Sequence, residues 1–171
     1  REHCGRTNAV AAIMTLMMGL RCTELVCCRV RDLDNGGREL WIEETKTAAG
    51  RRRMEVPDFL KPYLMELTRG KPSTAYIFST AKSQGRHPDR AWPRKWVERI
   101  CKKVGVMQVC AHSMRGLFAT LKLKAGVPLH EVSGSMGHEK PRTTVEHYAQ
   151  PGSADGAPRA RALNTLLSDQ P

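Results

Sequence analysis

A few side chains in this sequence have types and settings suited to work on a phosphate. Arg21 lies in Gly19-Leu20-Arg21-Cys22-Thr23-Glu24-Leu25, at a break between two helical stretches. There a guanidinium and free backbone amides can meet one anion, and Glu24 can hold the arginine in place. Lys46, in Thr45-Lys46-Thr47, stands near the tip of a hairpin, where a flexible amine can reach into a groove and give up a proton. His112 and Arg115 open a helix at a spacing that puts them on one face, so the pair can grip one phosphate, the arginine supplying charge and a fork of donors. Gly137-His138 is followed ten residues later by Tyr148, within Thr143-Thr144-Val145-Glu146-His147-Tyr148. Each has a plainer reading when taken alone: a surface ion pair, a solvated turn lysine, a histidine cap beside a surface arginine, a structural histidine, and a core tyrosine with its hydroxyl at the surface. His147 hints at a metal, but no third ligand stands at a suitable spacing, so no metal site is expected.

The elements that must position these groups follow from hydrophobic spacing and punctuation. Asn8 to Leu20 reads as a buried helix with Asn8 as a possible cap. Gly19 to Arg21 breaks it, and Thr23 to Val30 resumes as a short helix. Leu40 and Ile42 alternate in one stretch and Met54 and Val56 in another, with Ala48-Ala49-Gly50 between, which predicts a β-hairpin over Glu39–Thr45 and Arg52–Val56. Pro57 to Leu67 predicts a helix with Leu60, Leu64 and Leu67 inward, and Tyr76-Ile77-Phe78 a third short strand. Arg90 to Val104 predicts an amphipathic helix with Trp92, Trp96, Val97 and Ile100 inward. Helices follow over Ser113–Lys124 (stopped at Gly126), Pro128–Met136 (stopped at Gly137), and from Pro141 through Tyr148. A Gly/Ala/Pro/Ser linker over Pro151–Pro158 leads to a last helix, Arg159–Leu167, with Leu163, Leu166 and Leu167 on one side. The expected class is α+β, mostly α-helical, with a small antiparallel three-stranded sheet.

The 171 residues suit one domain with an ordinary core. The chain opens at Arg1 rather than an initiator Met, which reads as a fragment or a processed chain. Its longest apolar run, Ala9 to Leu20, is short of the ~20 residues a membrane span needs, and no signal peptide is apparent. The six cysteines (Cys4, Cys22, Cys27, Cys28, Cys101, Cys110) form no C-x-x-C pair, so reduced thiols, mostly filling the core of a cytoplasmic protein, are expected. The net charge of +11 favours a polyanionic partner, nucleic acid first, over a merely solubilised surface. That charge is concentrated: Lys82, Arg86, Arg90, Arg94, Lys95, Arg99, Lys102 and Lys103 share their stretch with only Asp89 and Glu98.

Taken in order, Arg, Lys, His-x-x-Arg, Gly-His and Tyr, each on the expected kind of element, resemble the tyrosine recombinase (phage integrase) family. The matching stretches are Gly19–Leu25, Thr45–Thr47, His112–Thr120 and Gly137–Ala149. Departures are small: Met114 stands where the family usually has Leu, Gly116 where a second His is common, and Met136 where Leu usually precedes Gly-His. The resemblance implies a catalytic domain over 1–150, followed by a 151–171 linker and helix that packs either on its own domain or on a neighbouring protomer. On this resemblance the family's N-terminal core-binding domain is not expected within these residues.

The resemblance further implies that Tyr148 attacks the scissile phosphate of double-stranded DNA, forming a 3′-phosphotyrosine bond and releasing a 5′-hydroxyl. His112 would assist Tyr148, since a free tyrosine holds its proton to about pH 10. Arg21, Arg115 and His138 would stabilise the phosphate, Lys46 would protonate the leaving oxygen, and Glu24 would position Arg21. Lys82, Arg86, Arg90, Arg94, Lys95 and Arg99 would contact DNA. No cofactor, metal or ATP is implied, because the covalent link conserves the phosphodiester's energy and neither a P-loop nor a two-metal carboxylate cluster is present. The expected assembly is a homo-tetramer on paired DNA sites, in a prokaryotic cytoplasm and associated with the nucleoid. Two other readings compete. A type IB topoisomerase shares the tyrosine chemistry but usually has another basic residue in place of the His of His112-x-x-Arg115. A non-catalytic DNA-binding module would account for the charge but not for the full residue series.

Overall fold

The computed structural model describes residues 6–34, 36–43, 50–80, 83 and 85–138. Helix α1, Arg6–Met18, is apolar on most of its surface and is accordingly buried. Val10, Ala11, Met14 and Met18 enter the core, and the buried Thr15 hydroxyl is satisfied by donating to the Ala11 carbonyl at 3.0 Å. Asn8 lies inside this helix rather than capping it. Gly19, at φ +64°, turns the chain out of α1, and a Cβ there would meet the Phe118 ring at 2.5 Å. Only glycine gives that left-handed turn at so close an approach. The turn delivers Arg21, extended at φ −69° and ψ 151°, to the start of α2, Cys22–Cys27.

The hairpin forms as the alternation predicts. Strands β1, Glu39–Ile42, and β2, Arg52–Glu55, pair antiparallel with Leu40 opposite Met54 and Ile42 opposite Arg52. Leu40, Ile42, Met54 and Val56 are all buried. The expected third strand is not one. Tyr76 makes only an isolated bridge to Arg29, and the described residues contain a two-stranded sheet. The segment that Tyr76-Ile77-Phe78 meets turns into a 3-10 helix at Val30–Asp32, so no ladder can extend. Ile77 and Phe78 are nevertheless wholly buried.

A 3-10 turn over Asp58–Leu60 leads into α3, Lys61–Thr68. Helix α4, Trp92–Val104, buries Trp96, Val97 and Cys101 and ends at Gly105 in the left-handed conformation. Helix α5, Ala111–Lys124, packs along α1, and α6, Leu129–Ser135, packs on α5. Phe118 and Ala119 of α5 meet Val132 and Met136 in a small second core that holds α6 in place. Burying a side chain such as Val132 or Met136 is worth about 1.5–3 kcal/mol, enough to seat a seven-residue helix too short to persist alone. No helix among the described residues is long and apolar enough to cross a membrane. The expected helix from Pro141, the 151–158 linker and the 159–167 helix lie outside the described residues.

Candidate active site

The site is built around one buried carboxylate. Glu24, in the first turn of α2, is 2% exposed. Its oxygens accept from the Arg21 backbone N–H at 2.8 Å and from Arg21 Nη1 at 2.6 Å. Arg52, entering from β2, donates a fork to both oxygens, Nη1 to Oε1 and Nη2 to Oε2, each at 3.1 Å. Arg115, from α5, stands 3.8 Å away. Burial alone would raise the Glu24 carboxyl, but hydrogen bonding and charge from Arg52, and then hydrogen bonds from Arg21, outweigh it and hold its pKa below the usual glutamate value. The plain reading of Arg21 and Glu24 as a surface ion pair therefore fails. The pair is the edge of a buried network.

Backbone carbonyls fix the other ends of these arginines. Arg21 Nη2 donates to Gly137 O at 2.9 Å, across 116 residues of chain. Arg115, 2% exposed, donates from Nη1 to Gly19 O and from Nη2 to Met136 O. Arg52 donates from Nε to Ser135 O at 2.8 Å and from Nη1 to Gly50 O at 2.8 Å. The last residue of α6 and the two that follow it, Ser135, Met136 and Gly137, thus offer successive carbonyls to three different arginines. Gly137 adopts φ +63°, and a Cβ there would stand 2.7 Å from Arg52 Nη1 and 3.1 Å from Gly50 Cα. The same turn is pinned by His138 N donating to Ser133 O at 3.0 Å.

His138 follows directly. Its Nε2 lies 3.1 Å from Arg115 Nη2. A guanidinium can only donate, so Nε2 is the accepting atom of this contact. His112, exposed in the first turn of α5, precedes the buried Arg115 by one turn. The structure therefore brings Arg21, Glu24, Arg115 and His138 together and places His112 on the same helix as Arg115. Lys46, Tyr148 and Lys82 lie outside the described residues.

Among the basic residues expected to meet DNA, Arg86, Arg90, Arg94, Lys95 and Arg99 are all exposed. Arg86, Lys95 and Arg99 line one cavity of about 620 Å³ with Trp92, Trp96 and Asp89, while Arg90 and Arg94 are not among its lining. No cluster of metal-ligating side chains occurs among the described residues. Cys27, Cys28 and Cys101 are buried, as expected of core thiols, and burial pushes the Cys28 thiol far up; Cys110 is exposed and caps α5 by accepting from Ser113 N at 3.3 Å.

Arg52 is the residue that sequence reasoning missed. The signal was present: Arg52 has the parity of Met54 and Val56, the inward face of β2. A charge on a core-facing position must have a buried partner.

The sequence pattern described as the phage integrase family matches residues 4–154. The chain is 29% identical over 142 residues to the tyrosine recombinase XerA of Saccharolobus solfataricus, covering 82% of this chain and 45% of that protein. The crystal structure of a XerA recombinase superposes with a TM-score of 0.74 at 17% identity, over 98% of this chain and 58% of that one. The Tn1549 transposon integrase, solved in complex with transposon right end DNA, superposes with a TM-score of 0.71 at 22% identity, over 95% of this chain and 59% of the other. These two likenesses show the shared fold, that of a tyrosine recombinase catalytic domain. The chain spans about half the length of the proteins it matches.

Proposed function

The chain belongs to the phage integrase family, and from that membership and the arginine–histidine cluster we propose that it is the catalytic part of a site-specific DNA recombinase. The observation that carries this reading is the convergence of Arg21, Arg115 and His138, from separate parts of the sequence, around one buried carboxylate, Glu24, with an excess of positive charge. A cluster so constrained is costly to build as a purely structural feature, since each buried cation needs its own partners.

In this reading Tyr148 attacks the scissile phosphate. The phosphorus–O5′ bond breaks as the Tyr148–phosphorus bond forms, leaving a 3′-phosphotyrosine and a free 5′-hydroxyl. His112 assists the tyrosine in losing its proton. Lys46 delivers one to the departing O5′. Arg21 commits one side-chain donor to Glu24 and one to Gly137 O, which orients the guanidinium and leaves further N–H groups for the non-bridging oxygens. Arg115 adds fixed positive charge in a site of low exposure, where it acts more strongly than in water. His138, beside Arg115, adds a hydrogen bond to the same phosphate. Reversal with a new 5′-hydroxyl rejoins the strand, so the bond energy is retained and neither ATP nor a metal is required. Arg86, Lys95 and Arg99, around their shared cavity, and Arg90 and Arg94 beside them supply charge for the DNA backbone, with Lys82 in the same stretch. Recombination takes place in a homo-tetramer holding two duplex sites.

The test is recombination by the full-length protein between paired sites in the presence of EDTA. Exchange of flanking DNA is expected. Relaxation of supercoils without exchange would favour a topoisomerase, and dependence on divalent metal would refute the mechanism.

A further inference from the structure

We infer that Arg52 is a positioning residue of this active site, acting through Glu24 to set the guanidinium of Arg21 and to register the β-hairpin against the turn that carries His138. The inference rests on the recombinase reading above. It starts from a misfit between sequence and place. Arg52 occupies an inward strand position, opposite Ile42 and in phase with two core residues, and its side chain is only 9% exposed. A surface arginine would serve solubility there; a buried one must be held, and Arg52 is held on every side. It makes a fork to both Glu24 oxygens, one bond to Ser135 O and one to Gly50 O.

These bonds join α2, the start of β2 and the last residue of α6. The fork fixes the plane of the Glu24 carboxylate. That plane in turn fixes Arg21, which bonds Oε1 with its side chain and Oε2 with its own backbone N–H. The Ser135 bond lies two residues before Gly137, whose carbonyl holds the far end of Arg21, and three before His138. Arg52 therefore sets both supports of Arg21. The other groups around Glu24 cannot substitute. Arg115 stands 3.8 Å off with its donors on Gly19 and Met136, Cys28 is a neutral buried thiol, and Asp32 and Glu43, across a small crevice, carry the wrong sign. His138 meets Arg115, at 3.1 Å from its Nη2. Lysine, a point charge, cannot bridge two oxygens in a fixed plane.

The experiment compares Arg52→Met and Arg52→Lys with wild type in the full-length protein. Covalent cleavage of a nicked duplex is followed across pH, alone and in a Glu24→Gln background. Arg52→Met is expected to bind DNA nearly as wild type and to cleave ~10²-fold more slowly, the scale of a small misplacement of a catalytic group. Its activity should recover in part as pH rises, because Glu24 without the fork titrates higher and orients Arg21 only when ionised. Arg52→Lys should fall between. The Arg52→Met effect should shrink at least several-fold once Glu24 is Gln, as expected of residues acting in one network. A slowing of equal size at every pH and in both Glu24 backgrounds, or no slowing in a folded Arg52→Met, overturns the inference. If Arg52→Met does not fold, Arg52→Lys decides: an acid limb that stays where wild type has it overturns the inference. Glu24 titration followed by side-chain NMR needs no activity; an unchanged Glu24 pKa in Arg52→Lys also overturns it. Wild type forming no covalent adduct would sink the recombinase reading itself, which separates the two failures.

Discussion

Replacing Glu24 by Ala removes the one negative charge that three arginines share. Arg115 is 2% exposed and the Arg52 side chain 9%, so neither can turn to water when the carboxylate is lost. Arg21, with its side chain 37% exposed, can, and adds little to the cost. Breaking a buried ion pair from one side destabilises by about 3–5 kcal/mol, because the remaining charge is stranded. The backbone carbonyls of Gly19, Met136, Ser135 and Gly50 soften this by keeping most guanidinium donors bonded, which puts the expectation near the lower end. A domain of this size loses roughly 2–4 °C of melting temperature per kcal/mol. Thermal and urea unfolding, followed by circular dichroism, should therefore show a drop of at least roughly 6 °C and a midpoint shift at unchanged slope. Glu24→Gln, which keeps the shape and one acceptor, should lose less. A Glu24→Ala protein within about 1 kcal/mol of wild type would refute the claim that this carboxylate is the centre of a buried network, since surface pairs cost that little.

Three further outcomes follow from the same geometry. The Glu24 pKa is depressed in the folded chain, so its contribution is complete above the ordinary glutamate value of about 4.3 and is lost as pH falls through the lower folded value; an acid titration of stability should fall less steeply there for Glu24→Gln than for wild type. Gly137→Ala should destabilise by about 1–3 kcal/mol through overpacking against Arg52 and Gly50, read by urea unfolding, and a neutral result would show that the turn has room the geometry denies. Lys46→Ala should slow cleavage of an ordinary substrate far more than of a 5′-bridging phosphorothiolate, whose thiolate leaves without a proton; equal slowing of both would make Lys46 a binding residue.

Much of this fold is legible in the sequence. The hairpin followed from the alternation of Leu40, Ile42, Met54 and Val56, and α4 from the inward spacing of its tryptophans. Gly19 and Gly137 read as breaks, but their second role did not: each presents its carbonyl to an arginine nearly a hundred or more residues away. Such pairings depend on how α5 packs on α1 and α6 on α5, and no local pattern encodes them. The third strand failed for a related reason. Tyr76-Ile77-Phe78 has strand composition, but its neighbour at Arg29 turns away after one bridge. Arg52 was hidden because its run of three arginines, Arg51 to Arg53, reads as solvated charge; only strand parity distinguishes the middle one as inward.

The central claim is that the chain cuts DNA through Tyr148. Of the three tyrosines, Tyr63 is half-buried on α3, and Tyr76 is engaged by Arg29, whose Nη2 donates to its hydroxyl at 2.9 Å. The direct measurement is covalent capture of a nicked suicide substrate by wild type and by Tyr148→Phe, with the linked peptide mapped by mass spectrometry. The account predicts a 3′-phosphotyrosine adduct at residue 148 in wild type, and DNA binding without adduct in Tyr148→Phe. An adduct that survives in Tyr148→Phe, or that maps to another residue, would contradict it.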